Sequence, residues 1–559
     1  MKVSEIPYKR YTIEEAQEAF SRFRSAVEAA KNADEVIGAR KLMLDILCEY
    51  STAASLANCR FTLNTRDPFY QAEMEYYDEK GPLFNQLNVE YADLMLASPY
   101  RAELEQKLNP QLFKTWICNK KAFSPDIIAE SQEENAIVTE YSKFMSEMTF
   151  SFDGKTLPLS VVHGYLEDTD RDVRRRAAEA IGKGLQAHAA ALDDIYDRLV
   201  KIRDKQAKKM GYKNFVELGY YRMGRTDYDA DMVARFRENV CRSLVPVVSA
   251  LKKKIAGELG IDRMMFYDDA VCGKGESPRP IVDAEELFNR AQKMYDDMDP
   301  ELGAFMRKMR ENEAFDTLAR DGKWGGGYCT SFPKYDQPFI LANFNGSSGD
   351  VDVITHEFGH ALANSFIRRF GDLELNVGSM ETAECHSMSM EFLCWKDTEA
   401  FFGNQADTYR KKHLTDALSF IPYGVIVDEY QHIVYSHPEM TPAERKAAYL
   451  ELEKKYRPYL SFDGIPYLEE GTRWQYQMHI YESPFYYIDY CLAQTVAIHF
   501  LVRSRENYDE ALHTYLAFAR KGGTQPFGQL VREAGIPSPF EDGSLDDLAQ
   551  KALGIINSL

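Results

Sequence analysis

Two histidines four residues apart, with a glutamate beside the first, are the residues in this chain best placed to do chemistry. His356, Glu357 and His360 form a His-Glu-x-x-His pattern inside an apolar run of helical character. Residues four apart on an α-helix share one face and lie about 6 Å apart along its axis. Two imidazoles at that spacing can bind one metal ion, and zinc accepts imidazole nitrogens and carboxylate oxygens in a tetrahedral shell. Glu357 could then act as general base on a metal-bound water.

The residues that follow the second histidine decide which class of zinc site this is. Ala363 and Phe366 stand where a metzincin needs glycine and histidine, so that class is excluded. The remaining option is a carboxylate from a following helix. Three candidates downstream fall close to one helical face: Glu381, Glu384 and Glu391. Their spacing does not choose among them.

A longer sequence pattern selects one of these three glutamates through its resemblance to a known family. The motifs HEFGH at 356–360 and AECHS at 383–387 resemble the thimet oligopeptidase and oligoendopeptidase F family of zinc metallopeptidases, and the oligoendopeptidase F branch in particular. The resemblance implies that one zinc ion per chain is bound by His356, His360 and Glu384, with water in the open fourth position. Glu357 is then the general base.

Glu391 falls where this family has a second carboxylate. That position fits a carboxylate that orients a ligand histidine through its free ring N–H. A helix-capping or surface glutamate is the competing interpretation. Cys385 and His386, neighbours of Glu384 in sequence, point elsewhere on a helix and are interpreted as structural.

An aromatic segment near the C-terminus supplies candidate donors for the oxyanion of a peptide-hydrolysis transition state. By residue type alone, a single histidine among tyrosines is more often part of the core or of an interface. The family, however, has a histidine followed by a tyrosine cluster here. That implies His479, Tyr486 and Tyr490 as transition-state donors. The spacing between histidine and tyrosines departs from the family, so Tyr481 and Tyr487 stay open as alternatives.

A glycine-rich loop and a strand precede the metal motif. The loop lacks the pattern of a phosphate-binding loop, and residues 337–344 are the best strand candidate in the chain. A proline near its start is compatible with an edge strand, which could pair with an extended peptide. The family resemblance implies that Gly326, Gly327 and Tyr328 flank the substrate. A buried hairpin that supports the metal helix is the alternative.

The elements that must position these residues are mainly helices. Apolar residues recur at helical spacing through most of the chain, and Ser151–Pro158 breaks the pattern as a hairpin or linker. We therefore predict a mostly α fold in which two helical lobes enclose a deep substrate channel. A small β-sheet lies beside the zinc-binding helices. The predicted division is an N-terminal helical lobe at 1–155 and a catalytic domain at 156–559.

Composition limits the classes of function. A chain of 559 residues exceeds a single core, and a net charge of −20 argues against binding nucleic acid or an anionic membrane. The nine cysteines are scattered without CxxC spacing, which is typical of reduced thiols in a cytoplasmic protein. No apolar run is long enough to span a membrane. The oligomeric state is not predicted.

The predicted function is a zinc endopeptidase that hydrolyses internal bonds of short peptides. Two alternatives stay open. One is an exopeptidase of a related helical zinc fold, such as the carboxypeptidase Taq or angiotensin-converting-enzyme types, which would remove only C-terminal residues or dipeptides. The other is a non-catalytic peptide-binding protein with a structural metal, which would have no need of Glu357.

Overall fold

The computed structural model describes residues 1–375 and 378–559. Its first part is a set of helices whose starts follow from the sequence. The side chain of Thr12 accepts the backbone N–H of Glu15, and Glu15 reaches back to the N–H of Thr12, which closes a capping box. The helices are α1 (Ile13–Ala29), α2 (Ala33–Leu63), α3 (Pro68–Leu96), α4 (Arg101–Lys107), α5 (Pro110–Ala122) and α6 (Ile128–Glu147).

A hairpin follows where the sequence predicted a hairpin or linker. Strands β1 (Thr149–Phe152) and β2 (Lys155–Pro158) pair antiparallel. Asp153 and Gly154 form the turn with positive φ, the conformation that glycine adopts most easily. The helices after it are α7 (Leu159–Gly164), α8 (Arg171–Ala187), α9 (Ala189–Lys209), α10 (Phe215–Arg222), α11 (Ala230–Asn239), α12 (Val245–Leu259), α13 (Ala284–Met298) and α14 (Pro300–Glu311).

A three-stranded sheet lies directly before the metal motif. Its strands β3 (Phe315–Leu318), β4 (Tyr328–Phe332) and β5 (Gln337–Phe344) are ordered β3-β5-β4, with β3 parallel and β4 antiparallel to β5. The predicted strand at 337–344 is confirmed, but its interpretation as an edge was wrong. It is the central strand, with its first six residues buried, because the short β3 covers its other side. The edge is β4.

The remaining helices carry the metal motif and most of the core. They are α15 (Gly349–Ile367), α16 (Met380–Leu393), α17 (Thr398–Phe402), α18 (Ala406–Ser436), α19 (Pro442–Tyr456), α20 (Met478–Glu482), α21 (Tyr487–Glu506), α22 (Tyr508–Ala519), α23 (Phe527–Glu533) and α24 (Asp546–Ser558). The mostly helical fold with small sheets is as predicted. Within the described part of the chain, no helix is long and apolar enough to cross a membrane.

The N-terminal helices bind the segment that leads into α16. The carboxylate of Glu374 accepts hydrogen bonds from Tyr91 Oη and Trp116 Nε1, each at 2.7 Å, and pairs with Arg40. Arg40 also forms a two-point ion pair with Asp372 at 2.7 and 2.9 Å. Helices α2, α3 and α5 thus hold one short segment ahead of the helix that carries Glu384.

Candidate active site

Helix α15 presents His356 and His360 on one face while its apolar residues face the core. The ring centroids of the two histidines are 5.0 Å apart. Glu357, only 8% exposed, lies beside them, and its Oε2 has no hydrogen-bond partner among the described residues. The buried apolar residues that fix this orientation of the helix are Val351, Ile354, Phe358, Ala361, Leu362 and Phe366. The i, i+4 spacing therefore produces the shared face that the sequence predicted.

Helix α16 crosses α15 at a glycine. A Cβ on Gly359 would lie 2.7 Å from the backbone oxygen of His386 and from Cα of Ser387, so no larger residue fits without a backbone shift. This close approach brings Glu384 over the two histidines. Glycine at this position of the motif is required by packing, since its lack of a side chain lets the helices touch.

Three ligand-type atoms converge where the helices cross. Glu384 Oε2 lies 3.5 Å from His356 Nε2 and 3.6 Å from His360 Nε2, and the ligand atoms of all three residues lie within 4.8 Å of one another. Donors about 2.0–2.1 Å from a tetrahedral ion are separated by roughly 3.4 Å. The donor set therefore fits a divalent metal ion, and Glu357, the neighbour of His356 in sequence, keeps one carboxylate oxygen without a partner among the described residues.

The other two acidic candidates lie away from this cluster. Glu381 is fully buried and its carboxylate accepts a hydrogen bond from Ser379 Oγ. Glu391 Oε1 lies 2.6 Å from His356 Nδ1, the ring nitrogen remote from the ligand cluster. Burial opposes ionisation of Glu391, but its hydrogen bonds with His356 and His413 lower its pKa to about 2. The contact is the one expected of a carboxylate that orients a ligand histidine.

Behind Glu391 lies a hydrogen-bonded chain that sequence reasoning missed. His413 Nε2 contacts Glu391 Oε2 at 2.7 Å, and Trp395 Nε1 donates to His413 Nδ1 at 2.9 Å. An indole N–H can only donate, so Nδ1 of His413 must accept and its proton is on Nε2, directed at Glu391. No local signal marked His413, because it lies on α18 and meets Glu391 only through tertiary packing.

The aromatic segment forms the opposite side of the site. Tyr486 Oη donates to Glu384 Oε1 at 2.6 Å, and Tyr490 Oη lies 3.5 Å from His479 Nε2. Burial lowers the pKa of His479 to about 4, so its imidazole is neutral near pH 7. Tyr487 packs edge-on against the His479 ring. Tyr481 instead stacks on Tyr141 in the core at 3.8 Å, so of the two tyrosines left open only Tyr487 lies beside the histidine.

The glycine-rich loop lies against the N-terminal helices. A Cβ on Gly326 would overlap the ring of Trp324, and a Cβ on Gly327 would lie 3.4 Å from the backbone oxygen of Leu341. Tyr328 Oη contacts Thr62 Oγ1 of α2 at 2.6 Å. Tyr328 is also the first residue of β4, so these three residues lie at the start of that edge strand.

Strand β4 runs past the candidate base. Burial, reinforced by the negative charge of Glu357, raises the pKa of the Cys329 thiol. Its neighbour Tyr328 pairs with Leu341 of β5, and in the described residues the other side of β4 has no strand partner.

A cavity of about 550 Å³ opens beside Tyr486. It is lined on one side by Ser379 and Met380, which begin α16, and on the other by Arg222 and Glu482. Pockets of this volume are typical of ligand sites. Tyr486, which donates a hydrogen bond to Glu384, therefore also lines this cavity.

Comparison with known proteins gives concordant matches. The chain matches Peptidase family M3 over residues 164–550 and the Peptidase M3 N-terminal domain over residues 3–123. Oligopeptidase PepF of Bacillus subtilis is 23% identical over 555 residues, a match that covers 92% of this chain and 79% of the relative.

Solved structures agree over the whole length. PZ peptidase A with an inhibitor has a TM-score of 0.96 and 43% identity, with 100% of this chain and 99% of that chain covered. A Bacillus anthracis protein assigned as an oligoendopeptidase F has a TM-score of 0.91 and 38% identity, with 100% and 98% covered.

Proposed function

The chain belongs to the M3 family of peptidases and is a metallopeptidase, and from that premise we propose that it cleaves internal bonds of short peptides with zinc as its metal. The observation that carries the proposal is the convergence of His356, His360 and Glu384 beside the unpartnered carboxylate oxygen of Glu357. These are the ligand types and the base that zinc-dependent peptide hydrolysis needs.

His356, His360 and Glu384 would hold the zinc ion, which when bound polarises a carbonyl oxygen and lowers the pKa of water toward 7. Glu357 accepts the proton of the attacking water at its free Oε2. The same carboxyl then delivers that proton to the nitrogen of the departing amine. A buried carboxylate can do both because nothing else among the described residues occupies its oxygen.

The opposite side of the site stabilises the charge that develops on the peptide oxygen. His479 and Tyr490 are candidate donors, since both are neutral at pH 7 and their polar atoms are only weakly paired with each other. Tyr486 is the candidate nearest the ligands, through its hydrogen bond to Glu384. Glu391 holds His356 by its Nδ1.

Substrate binding is proposed along β4. Its unpaired side can hydrogen-bond an extended peptide backbone without reading side chains. Gly326, Gly327 and Tyr328, at the start of that strand, would contact the peptide near Glu357. Two helical lobes around a deep channel would limit the substrates to short peptides.

A cytoplasmic location is part of the proposal. All nine cysteines are free. Free thiols in that number are characteristic of a reducing compartment.

The test is a mass-spectrometric digest of a mixed peptide library graded in length, with and without a chelator. Internal cuts that stop with the chelator and are confined to short peptides are the expected result. Trimming restricted to C-terminal residues or dipeptides would replace the endopeptidase with an exopeptidase. Binding without cleavage by the zinc-loaded protein would overturn the catalytic proposal.

A further inference from the structure

The imidazole of His479 is held at one nitrogen by a neighbouring amide. Gln477 Nε2 lies 2.9 Å from His479 Nδ1. A neutral imidazole has one N–H and one bare nitrogen, and which is which depends on the partner of each. Only the form with the proton on Nε2 can donate toward the active site. The question is therefore which end of the Gln477 amide faces the ring.

In the structure the oxygen end of that amide is paired with a tyrosine. Tyr423 Oη donates to Gln477 Oε1 at 2.7 Å. With its oxygen accepting from Tyr423, Gln477 must turn its NH₂ group toward His479. An amide NH₂ can only donate, so His479 Nδ1 must be the bare, accepting nitrogen.

The tyrosine is itself polarised to donate. The guanidinium groups of Arg473 and Arg457 lie 4.7 and 5.0 Å from the centroid of the buried Tyr423 ring. Two cations on the ring draw electron density from the phenol and strengthen its O–H as a donor. A carbonyl oxygen is the partner such a phenol favours, which supports the amide orientation inferred above.

The Nε2 nitrogen of His479, which would donate to the substrate, stays available for another partner. Its nearest polar neighbour is Tyr490 Oη at 3.5 Å, at the outer limit of a hydrogen bond. The rings of Tyr486, Tyr487 and Tyr490 surround the imidazole with centroid distances of 5.8, 5.0 and 5.7 Å. The ring is thus held in place while Nε2 stays free to bind another acceptor.

We propose that Gln477, oriented by Tyr423, is a positioning residue that keeps His479 in the Nε2–H form and thereby supplies the donor for the peptide oxygen in the transition state. The hydrogen bonds run from Tyr423 Oη–H to Gln477 Oε1 and from Gln477 Nε2–H to His479 Nδ1. They leave His479 Nε2–H as the free donor. The catalytic use of that last N–H rests on the proposed function; the tautomer does not.

The first test is on the wild-type, zinc-loaded enzyme. ¹⁵N-labelled histidine and NMR distinguish a bare ring nitrogen from a protonated one, and loss of a signal in His479→Gln assigns it. The expected spectrum near neutral pH shows a bare Nδ1 and a protonated Nε2 on His479. A protonated Nδ1 would overturn the inference whatever the activity data show.

The second test releases the amide while keeping the core filled. Tyr423→Phe removes only the hydroxyl that orients Gln477. We expect mixed ring-nitrogen signals and a kcat about ten-fold lower, with KM and zinc affinity unchanged, a smaller loss than removing an oxyanion donor outright. Gln477→Leu should have a larger effect of the same kind. An unaltered histidine spectrum in folded Tyr423→Phe would contradict the proposal.

The chain offers a matched control. Gln475 accepts from Tyr467 Oη at 2.8 Å and donates to Asp193 at 2.7 Å, so it is a second buried glutamine held by a tyrosine, two residues away and directed elsewhere. Tyr467→Phe should leave the His479 signals and kcat at wild-type values. Equal effects of Tyr423→Phe and Tyr467→Phe would show that Gln477 contributes only general stability and does not set the tautomer of His479. Wild-type kcat in His479→Ala would instead remove the catalytic role of His479 while leaving the tautomer result standing.

Discussion

The two sides of this site are built in different ways. The metal side rests on the long helices α15, α16 and α18, and its supporting chain from His356 to Trp395 has every step at 2.9 Å or less. The tyrosine side rests on the five-residue α20 and the start of α21. Its supporting chain from Tyr423 through Gln477 to His479 is as short, at 2.7 and 2.9 Å, but its contact between Tyr490 and His479 is 3.5 Å long.

The turn that joins α20 to α21 is also strained. Phe485 has φ of 67°, a left-handed conformation that costs a residue with a side chain roughly 1–2 kcal/mol. Its backbone N–H donates to Gln431 and its carbonyl accepts from Arg225, which hold the turn in place. This turn sets Tyr486 and Tyr490 relative to His479.

The difference matches what each side has to do. Metal ligands must keep one geometry throughout, so a rigid, fully paired support is favourable. Donors to an oxyanion need their best contacts only in the transition state, and a loose resting contact leaves them available. Binding of metal and rate of turnover should therefore be separable by mutation.

The largest effect should come from removing the proposed general base. Glu357→Gln keeps the shape of the side chain but removes the base, so kcat should fall by about three orders of magnitude. Zinc should stay bound, because Glu357 is not among the converging ligands. Metal content and kcat measured on the same sample check this, and substantial remaining activity would exclude Glu357 as the base.

A substitution on the tyrosine side should lower kcat without changing zinc affinity. His479→Ala removes one proposed oxyanion donor, and kcat should fall by about 100-fold. Zinc affinity, measured by competition with a fluorescent chelator, should match the wild type. A parallel loss of zinc would show that the two sides are not independent.

A substitution that disturbs the support of the metal side should lower zinc affinity. In Glu391→Gln the amide oxygen can still accept from His356, but the NH₂ group then faces His413 Nε2–H, which also donates. We expect zinc affinity to fall by about 10- to 100-fold, with kcat near wild type once zinc is saturating.

Glu381→Gln is the matched control for this variant. Glu381 is a buried glutamate on the same helix that lies outside the ligand cluster, so its variant should bind zinc normally. Equal losses in the two variants would contradict the specific role of Glu391.

The last expected effect concerns neither rate nor metal binding but stability against acid. The folded-state pKa of His479 is about 4, below its ordinary value of 6.5, so the unfolded chain binds a proton there first. Its contribution is fully present above pH 6.5 and is lost as pH falls toward 4, at up to about 1.4 kcal/mol per pH unit. Denaturant unfolding should show the wild type losing stability relative to His479→Gln over that range. A constant difference would mean that the folded protein leaves this pKa unshifted.

The two sides also differ in how far the sequence predicts them. His356 and His360 lie on one helix, where a spacing of four residues alone determines a shared face. Glu384 could not be chosen over Glu381 and Glu391 from spacing, because the rotation of α16 about its axis is set by its packing on α15. Resemblance to a family supplied that choice, and in the structure Glu384 is the glutamate whose carboxylate lies within 4.8 Å of both histidines.

The supporting residues were beyond sequence reasoning for a different reason. His413 meets Glu391 and Trp395 only when separate helices pack, and the orientation of the Gln477 amide depends on Tyr423 of α18, 54 residues earlier. The prediction that β5 is an edge strand was wrong for a similar reason. Whether β5 is an edge or the central strand depends on β3, which has only four residues. Local patterns predicted the helices and the hairpin, while contacts between residues distant in sequence decided the rest.

The contact at Gly359 has a consequence for which ions the protein accepts. The distance between α15 and α16 sets the separation of Glu384 from the two imidazoles, and with it the radius of the ion that all three can reach. Gly359→Ala would force the helices apart and enlarge that space. Competition between divalent cations should then shift from zinc toward larger ions such as cadmium, so ionic size selection in this protein depends on a residue that touches no metal.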